Sequence, residues 1–101
     1  MRRFVVVDDS MRPALQPGDG LLSVAGGRLR PGQLRVFRDP WSSSRWLVKR
    51  VGAVAGRGRG ATFEARSDNS GAAGVVDSRD FGRVPAAGSY RVVWTVRARR
   101  T

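Results

Sequence analysis

Short apolar stretches with a two-residue period run through the chain, and this pattern predicts strands rather than helices. The clearest example is segment 90–96, where Tyr90, Val92 and Trp94 alternate with Arg91, Val93 and Thr95. Six strands are predicted, of which the first is expected to be buried: Phe4–Val7, Gly20–Val24, Leu34–Phe37, Trp46–Val54, Thr62–Ala65 and Tyr90–Val96. Glycine, proline and asparagine separate these segments, as is typical of turns. The prediction is therefore a mainly β protein, a single small twisted sheet domain over residues 1–101.

Only one helical turn is predicted, over Met11–Leu15, with Ser10 as its cap. The loop Trp41–Arg45 and the Arg-Gly segment Gly56–Gly60 are interpreted as connections between strands. Residues 97–101 form a basic tail.

Lys49 stands on the apolar face of its predicted strand, together with Leu47 and Val51. Burial on such a face disfavours the charged ammonium and lowers the pKa of a lysine. Lys49 could therefore act as a general base at neutral pH.

The composition narrows the possible chemistry. The chain of 101 residues has no cysteine and no histidine, which excludes disulfides, thiolate catalysis and the usual zinc sites, so no metal or cofactor is expected. A serine nucleophile such as Ser10 needs a base, and arginine stays protonated. Lys49 is the only lysine among 19 basic residues, so either Lys49 or a carboxylate must be the base.

Three short motifs follow one another in the chain: Ser10-Met11-Arg12-Pro13, then Lys49-Arg50-Val51, then Ser67-Asp68-Asn69-Ser70 with Asp77-Ser78-Arg79-Asp80. In this order they resemble the conserved boxes of the type I signal peptidases, whose fold is shared with the self-cleaving repressor peptidases. Within that family the short, anchorless chain is most similar to the maturation proteases of nickel-type superoxide dismutase. The resemblance implies a serine endopeptidase that removes an N-terminal signal or propeptide from a precursor protein and cuts after small residues.

The resemblance also implies roles for individual residues. Ser10 would be the nucleophile and Lys49 the base. Support of the site and of the oxyanion is expected from Asp9, Met11, Asp68, Asn69, Ser70 and Ser78. Asp77 and Arg79 are expected to brace the backbone as an ion pair. The precursor would bind as an extended strand along an exposed sheet edge.

Two positions depart from the family pattern. Asp8 stands where relatives often carry a serine that helps to stabilise the oxyanion, so the backbone N–H of Ser10 would be the main donor. Asp8 and Asp9 could also pair with Lys49 and keep it protonated. Val75 stands where many relatives carry a serine that orients the lysine, and Ser70 or Ser78 could replace it.

The formal charge of +11 makes an anionic surface a reasonable partner, although the base composition of a GC-rich genome is the favoured explanation of the many arginines. Weak association with an anionic membrane is considered, nucleic acid is not expected as a partner, and the protein is expected to be a monomer. Neither a signal peptide nor an apolar run of about 20 residues is present, which favours a cytoplasmic location, with a peripheral membrane location as the alternative.

Two alternative functions remain open. A self-cleaving peptidase of the repressor type could cut its own chain at the small residues of 53–56 or 73–74. A catalytically inactive basic binding module on the same fold is the other alternative, and Asp8 and Val75 are its best support.

Overall fold

The computed structural model describes residues 1–98, which form one antiparallel sheet of seven strands. The strands are β1 (Arg2–Val5), β2 (Gly20–Ala25), β3 (Leu34–Asp39), β4 (Ser42–Ala55), β5 (Thr62–Arg66), β6 (Val84–Pro85) and β7 (Tyr90–Val96). A 3₁₀ turn at Gly58–Gly60 and a one-turn helix α1 at Ser78–Phe81 complete the fold. The predicted mainly β class and single sheet are confirmed. The specific likeness to the signal peptidase fold stays a prediction.

The strand order is β1-β2-β7-β3-β4-β5-β6, so the last long strand lies in the middle of the sheet. It joins β2 to β3 and thereby unites the N-terminal strands with the longest strand, β4. β4 pairs with β3 through Ser42–Arg50 and with β5 through Arg50–Ala55. The first part of β4 therefore has β3 as its partner and the last part has β5.

Apolar side chains pack on both faces of the sheet, because β3 and β4 carry apolar residues at odd and at even positions. Phe37 and Leu47 belong to one buried cluster, which also contains Phe63. Val36 belongs to the other cluster, with Val48 packed against its edge. The sheet is therefore the central layer of the core.

Several predicted boundaries are wrong. The first strand ends at Val5 instead of Val7 and is not buried, since Val5 is 63% exposed, Val7 is 73% exposed and only Val6 lies inside. The segment Ser42–Arg45, predicted as loop, extends β4 and pairs with the end of β3. Strands β2, β3 and β5 each extend one or two residues beyond their predicted ends.

The helical turn is also in a different place. Residues 10–14 form hydrogen-bonded turns instead of a helix, in which Leu15 N–H donates to Met11 O at 2.8 Å. The helix α1 instead begins after Asp77, whose carboxylate accepts from Arg79 N–H while Asp80 accepts from Asp77 N–H. This reciprocal capping explains why a helix begins there.

No helix within residues 1–98 has the length and apolar character needed to cross a membrane. The predicted basic tail 97–101 is described only as far as Ala98, and the remainder lies outside the described residues.

Replacement of Phe63 tests the core that carries the candidate site. Phe63 is fully buried and packs edge-on against Phe37, with ring centroids 5.8 Å apart. We expect Phe63→Ala to lower the free energy of unfolding by about 3–5 kcal/mol, because the truncation leaves a cavity. Urea denaturation measures the change, with the exposed Val5→Ala as the matched control. An equal effect of the two substitutions would contradict this description of the core.

Candidate active site

The turn after β1 holds Ser10 in a fixed, buried position. Val6 N–H donates to Asp19 O at 2.9 Å, and Gly18 N–H donates to Val6 O at 2.7 Å, so the two ends of this loop are joined. Met11 follows Ser10 into the apolar cluster of Val36 and is fully buried. Ser10 is only 1% exposed.

The loop that follows β5 is attached directly to this turn. Asn69 N–H donates to Ser10 O at 2.8 Å, and the Asn69 side-chain amide donates to Asp9 O at 3.0 Å. Asp68 N–H lies 3.5 Å from the Met11 sulfur. The first and third motifs, which are far apart in the sequence, therefore contact each other through Asn69, Asp68 and Met11.

Lys49 is buried on β4 and is bonded to a hydroxyl. Its side chain is only 1% exposed, and Nζ donates to Ser67 Oγ at 2.9 Å. Burial lowers the pKa of Lys49 below its ordinary value, although the negative charges of Asp8 and Asp77 act in the opposite direction and Arg45 reinforces the lowering. The environment thus makes Lys49 easier to deprotonate than an exposed lysine.

Ser67 is the residue that sequence reasoning missed. The sequence suggests Ser70 or Ser78 as the partner of Lys49, but Ser70 is exposed on its loop, and Ser78 Oγ accepts from Ala65 N–H at 2.7 Å. Arg66 pairs with Arg50 in the β4–β5 ladder, so the next residue, Ser67, lies beside Lys49. Knowledge of this register would have been needed to find it.

Asp77 and Arg79 brace the residue that holds the lysine. Their side chains form the expected ion pair at 3.3 Å. Asp77 Oδ2 also accepts from Ser67 N–H at 3.0 Å. Burial by itself would raise the pKa of Asp77, but the hydrogen bonds from Arg79 and from Ser67 N–H lower it to about 2. The ionised carboxylate therefore connects helix α1 to the Ser67 backbone.

Asp68 and Asp9 make their contacts at the edge of the site. Arg50 makes a two-pronged bond to Asp68, with Nε to Oδ1 at 2.9 Å and Nη2 to Oδ2 at 2.8 Å. Because Arg50 is next to Lys49 on β4, this pair fixes the loop after β5 against the lysine strand. The Asp9 carboxylate pairs with Arg12 at the surface, and only its backbone carbonyl contacts the site loop.

The oxyanion donor expected at Ser10 is already engaged. Ser10 N–H donates to Asp8 Oδ1 at 3.0 Å, and the Ser10 side chain also favours the ionised form of this carboxylate. Arg45 holds the other oxygen, Oδ2, at 3.3 Å. Partial burial raises the pKa of Asp8, but the bonds from Ser10 and the charges of Lys49 and Arg45 outweigh it, so the net pKa is below its usual range. The N–H expected to be the main oxyanion donor is therefore occupied by the ionised Asp8 carboxylate.

Asp8 and Asp9 do not trap the lysine by direct bonding. Lys49 Nζ is hydrogen-bonded to Ser67, and Asp8 acts on the lysine only through its charge.

A small apolar cavity adjoins Ser10. Its volume is about 40 Å³, and residues 4–8 and 46–48 line it together with Leu21 and Val36. Such a volume holds a methyl-sized group and excludes an aromatic ring. Phe4 packs on Trp46 across it, with ring centroids 5.0 Å apart.

Two unpaired strand edges flank this cavity. Within residues 1–98, no strand pairs with the outer edge of β1, and β5 begins to pair with β4 only at Arg50. The backbone of residues 42–49 is therefore unpaired on that side. Unpaired edges of this kind can accept an extended peptide.

No protein family model matches the chain, and no curated protein or solved structure matches it either. Within residues 1–98 no group of acidic side chains is arranged to hold a metal ion.

The titration of Lys49 tests the electrostatics of the site. We expect its ammonium to titrate at a lower pH than an exposed lysine, because burial opposes the charge, and Asp8→Asn to lower the midpoint further. NMR with ¹³C-labelled lysine follows this group without overlap, since the chain has one lysine. Because the folded pKa lies below the unfolded pKa, the contribution of Lys49 to stability should rise as the pH rises between the two values. A midpoint at or above the ordinary lysine value would contradict the assignment.

Proposed function

We propose that the protein is a serine endopeptidase that uses Ser10 as nucleophile and Lys49 as general base to remove an N-terminal signal or propeptide from a precursor protein. The observation that carries the proposal is the buried lysine: the chain's single lysine lies inside the protein, bonded to Ser67, and Ser67 is two residues from Asn69, which binds the Ser10 carbonyl. Ser/Lys chemistry requires a buried amine of lowered pKa close to a serine. Asp8 connects the two residues here, since it accepts from Ser10 N–H and its charge acts on Lys49.

In the proposed reaction the precursor lies as an added strand along the free edges of β1 and β4. A small side chain enters the cavity beside Ser10, which favours substrates with alanine-sized residues at the cut. Ser10 Oγ attacks the scissile carbonyl, and neutral Lys49 takes the hydroxyl proton. The resulting ammonium then gives a proton to the leaving amine, and water hydrolyses the acyl-enzyme.

Asp8 must release Ser10 for this reaction. A carboxylate and an oxyanion cannot share one backbone N–H, so the substrate has to displace Asp8 from the Ser10 amide. Arg45, already paired with Asp8 Oδ2, provides a place for the displaced carboxylate. The proposed enzyme therefore cleaves slowly any substrate that does not displace Asp8, and a precursor that displaces Asp8 activates it.

The natural substrate we propose is a small cytoplasmic precursor, with the nickel-type superoxide dismutase precursor as the first candidate on the basis of the sequence resemblance. A peripheral location at an anionic membrane is the alternative. Self-cleavage at 53–56 is less favoured, because Val54 and Ala55 lie in β4 and pair with Phe63 and Thr62.

The proposal is tested by mixing the purified protein with candidate precursors that have alanine at the cleavage position. We expect Ser10→Ala and Lys49→Met each to reduce cleavage by roughly a thousandfold or more, because nucleophile and base act as a unit. Methionine is chosen because its unbranched apolar chain fits the buried site without charge. Mass spectrometry of the products measures the rates.

Ser70→Ala is the matched control, because Ser70 lies exposed on the same loop and should leave the rate unchanged. Circular dichroism establishes that each variant is folded. Cleavage that survives Ser10→Ala or Lys49→Met in a folded protein would refute the dyad.

The effect of Asp8 provides a separate prediction. We expect Asp8→Ser to raise kcat by roughly tenfold or more, because it frees the Ser10 N–H and adds a hydroxyl donor for the oxyanion. The acid limb of the pH–rate profile should move to lower pH, since loss of the Asp8 charge makes Lys49 easier to deprotonate. A lower kcat for Asp8→Ser would show that Asp8 supports the reaction instead of blocking it.

The engaged Ser10 amide also favours a second candidate function, an inactive binding module. In that case neither wild type nor Asp8→Ser would react with serine-directed acylating reagents. Acylation of Asp8→Ser at Ser10, located by peptide mass mapping, would exclude this candidate.

A further inference from the structure

A second and much larger concave surface lies away from Ser10. It is formed where segments 25–29, 56–59 and 86–88 meet, has a volume of about 1210 Å³, and shares no lining residue with the cavity at the candidate active site. We call this surface the arginine groove, because Arg28, Arg57 and Arg59 line it. The proposed peptidase function does not use it.

The charge of the arginine groove is uncompensated. None of the chain's eight acidic residues lines it. Within residues 1–98, the ion pairs of the protein involve other arginines, and Arg28, Arg57 and Arg59 take part in none of them. The positive potential of the groove is therefore available to a ligand.

Two further arginines lie behind the groove wall. Arg35 of β3 and Arg91 of β7 are directly opposite each other in the sheet. Arg35 is fully buried, and its guanidinium donates to neutral acceptors, Ser89 Oγ at 2.9 Å and Gly27 O at 3.0 Å. In the described chain, Arg91 Nε is a buried nitrogen with no hydrogen-bond partner.

Such an arrangement is costly unless an anion offsets it. Burial lowers the pKa of Arg35, and the like charge of Arg91 lowers it further. A buried charge is normally paired with an opposite charge, and here two guanidiniums adjoin each other instead. An anion at this wall would provide the missing charge and an acceptor for Arg91 Nε.

Glycine keeps these guanidiniums close to the groove. Gly27 lines the groove, and a Cβ built on it would lie 3.7 Å from Arg91 Nε and 3.8 Å from Arg35 Nη2. Gly27 has a φ of +81° and Gly26 a φ of +71°, backbone conformations that residues with side chains rarely adopt. A larger residue at Gly27 would stand between the groove and the two arginines.

From this cluster we infer that the arginine groove binds a phosphate-chain anion, a linear oligophosphate whose oxygens are held by Arg28, Arg57 and Arg59 with Arg91 behind them. Guanidinium groups bind phosphate oxygens with paired hydrogen bonds. The groove is several times larger than one phosphate group needs, which favours a chain. No aromatic residue lines it, so it lacks the stacking platform on which single-stranded nucleic acids depend.

Inorganic tripolyphosphate is the probe, and isothermal titration calorimetry of the whole protein at about 150 mM salt measures its affinity. We expect saturable binding that the double substitution Arg57→Ser/Arg59→Ser weakens by about tenfold or more. The matched control is Arg3→Ser/Arg97→Ser, which removes the same net charge from exposed arginines outside the groove and should leave the affinity within about twofold. Equal losses in the two double variants would overturn the inference, because they would show attraction to net charge alone.

Arg91→Met tests by a second measurement, thermal stability, whether the buried Arg91 takes part in binding. Without ligand, its melting temperature should be equal to or above that of wild type, because a like-charge neighbour of Arg35 is removed. With tripolyphosphate, wild type should gain thermal stability, and the variant should lose most of this gain. An undiminished gain in thermal stability of Arg91→Met would overturn the proposed role of Arg91 in binding. Absence of saturable binding to wild type would overturn the site, and tighter binding of a single-stranded oligonucleotide through the same arginines would overturn the ligand class.

Discussion

The bond from the buried amine of Lys49 to Ser67 Oγ is the interaction on which the candidate site depends. An amine placed between Leu47 and Val51 loses its hydration, and a single hydroxyl replaces part of it. Ser67 can provide that hydroxyl only because its own amide is held by Asp77, whose carboxylate also caps helix α1. The loop after β5 and helix α1, both outside the sheet, thus fix the position of the Lys49 side chain on β4.

The same loop also holds Ser10 in place. Asn69 binds the backbone of Ser10, and Asp68 is fixed by Arg50, the neighbour of Lys49. Ser10 and Lys49 therefore share one support, although they lie on different elements. Any displacement of residues 67–69 would affect both, which is why the residues around the chemistry have as much influence on the proposed activity as Ser10 and Lys49.

Charge is distributed unequally over the molecule. Acidic residues lie at the candidate active site, where Asp8, Asp68 and Asp77 each have an arginine partner. The arginine groove has no acidic residue, and Arg35 and Arg91 adjoin each other behind it. A net charge of +11 is thus not spread evenly, and its effect on binding depends on where the carboxylates are. Base composition explains the number of arginines but not this separation.

Local patterns were sufficient for most strands. The alternation of residues 90–96 predicts β7 with its observed ends, and period 2 places Lys49 on the face of Leu47 and Val51. Local patterns failed to predict the structure of a segment where a contact with a distant part of the chain decides it. The run Phe4–Val7 appears uniformly apolar, yet β1 is an edge strand and leaves Val5 exposed. The turn at 11–15 has a helical sequence signal, but Met11 and Leu15 are drawn into the core.

By itself, the sequence determined the strand-forming segments, the absence of histidine and cysteine, and the presence of a single lysine on an apolar strand face, because these depend on residue type and local period. Only the tertiary structure decided that Ser67 receives the lysine, that Asp8 engages the Ser10 amide, and that Arg35 and Arg91 meet. Each of these depends on the register between strands or on a loop that returns to the sheet, and neither is encoded in the period of a single segment.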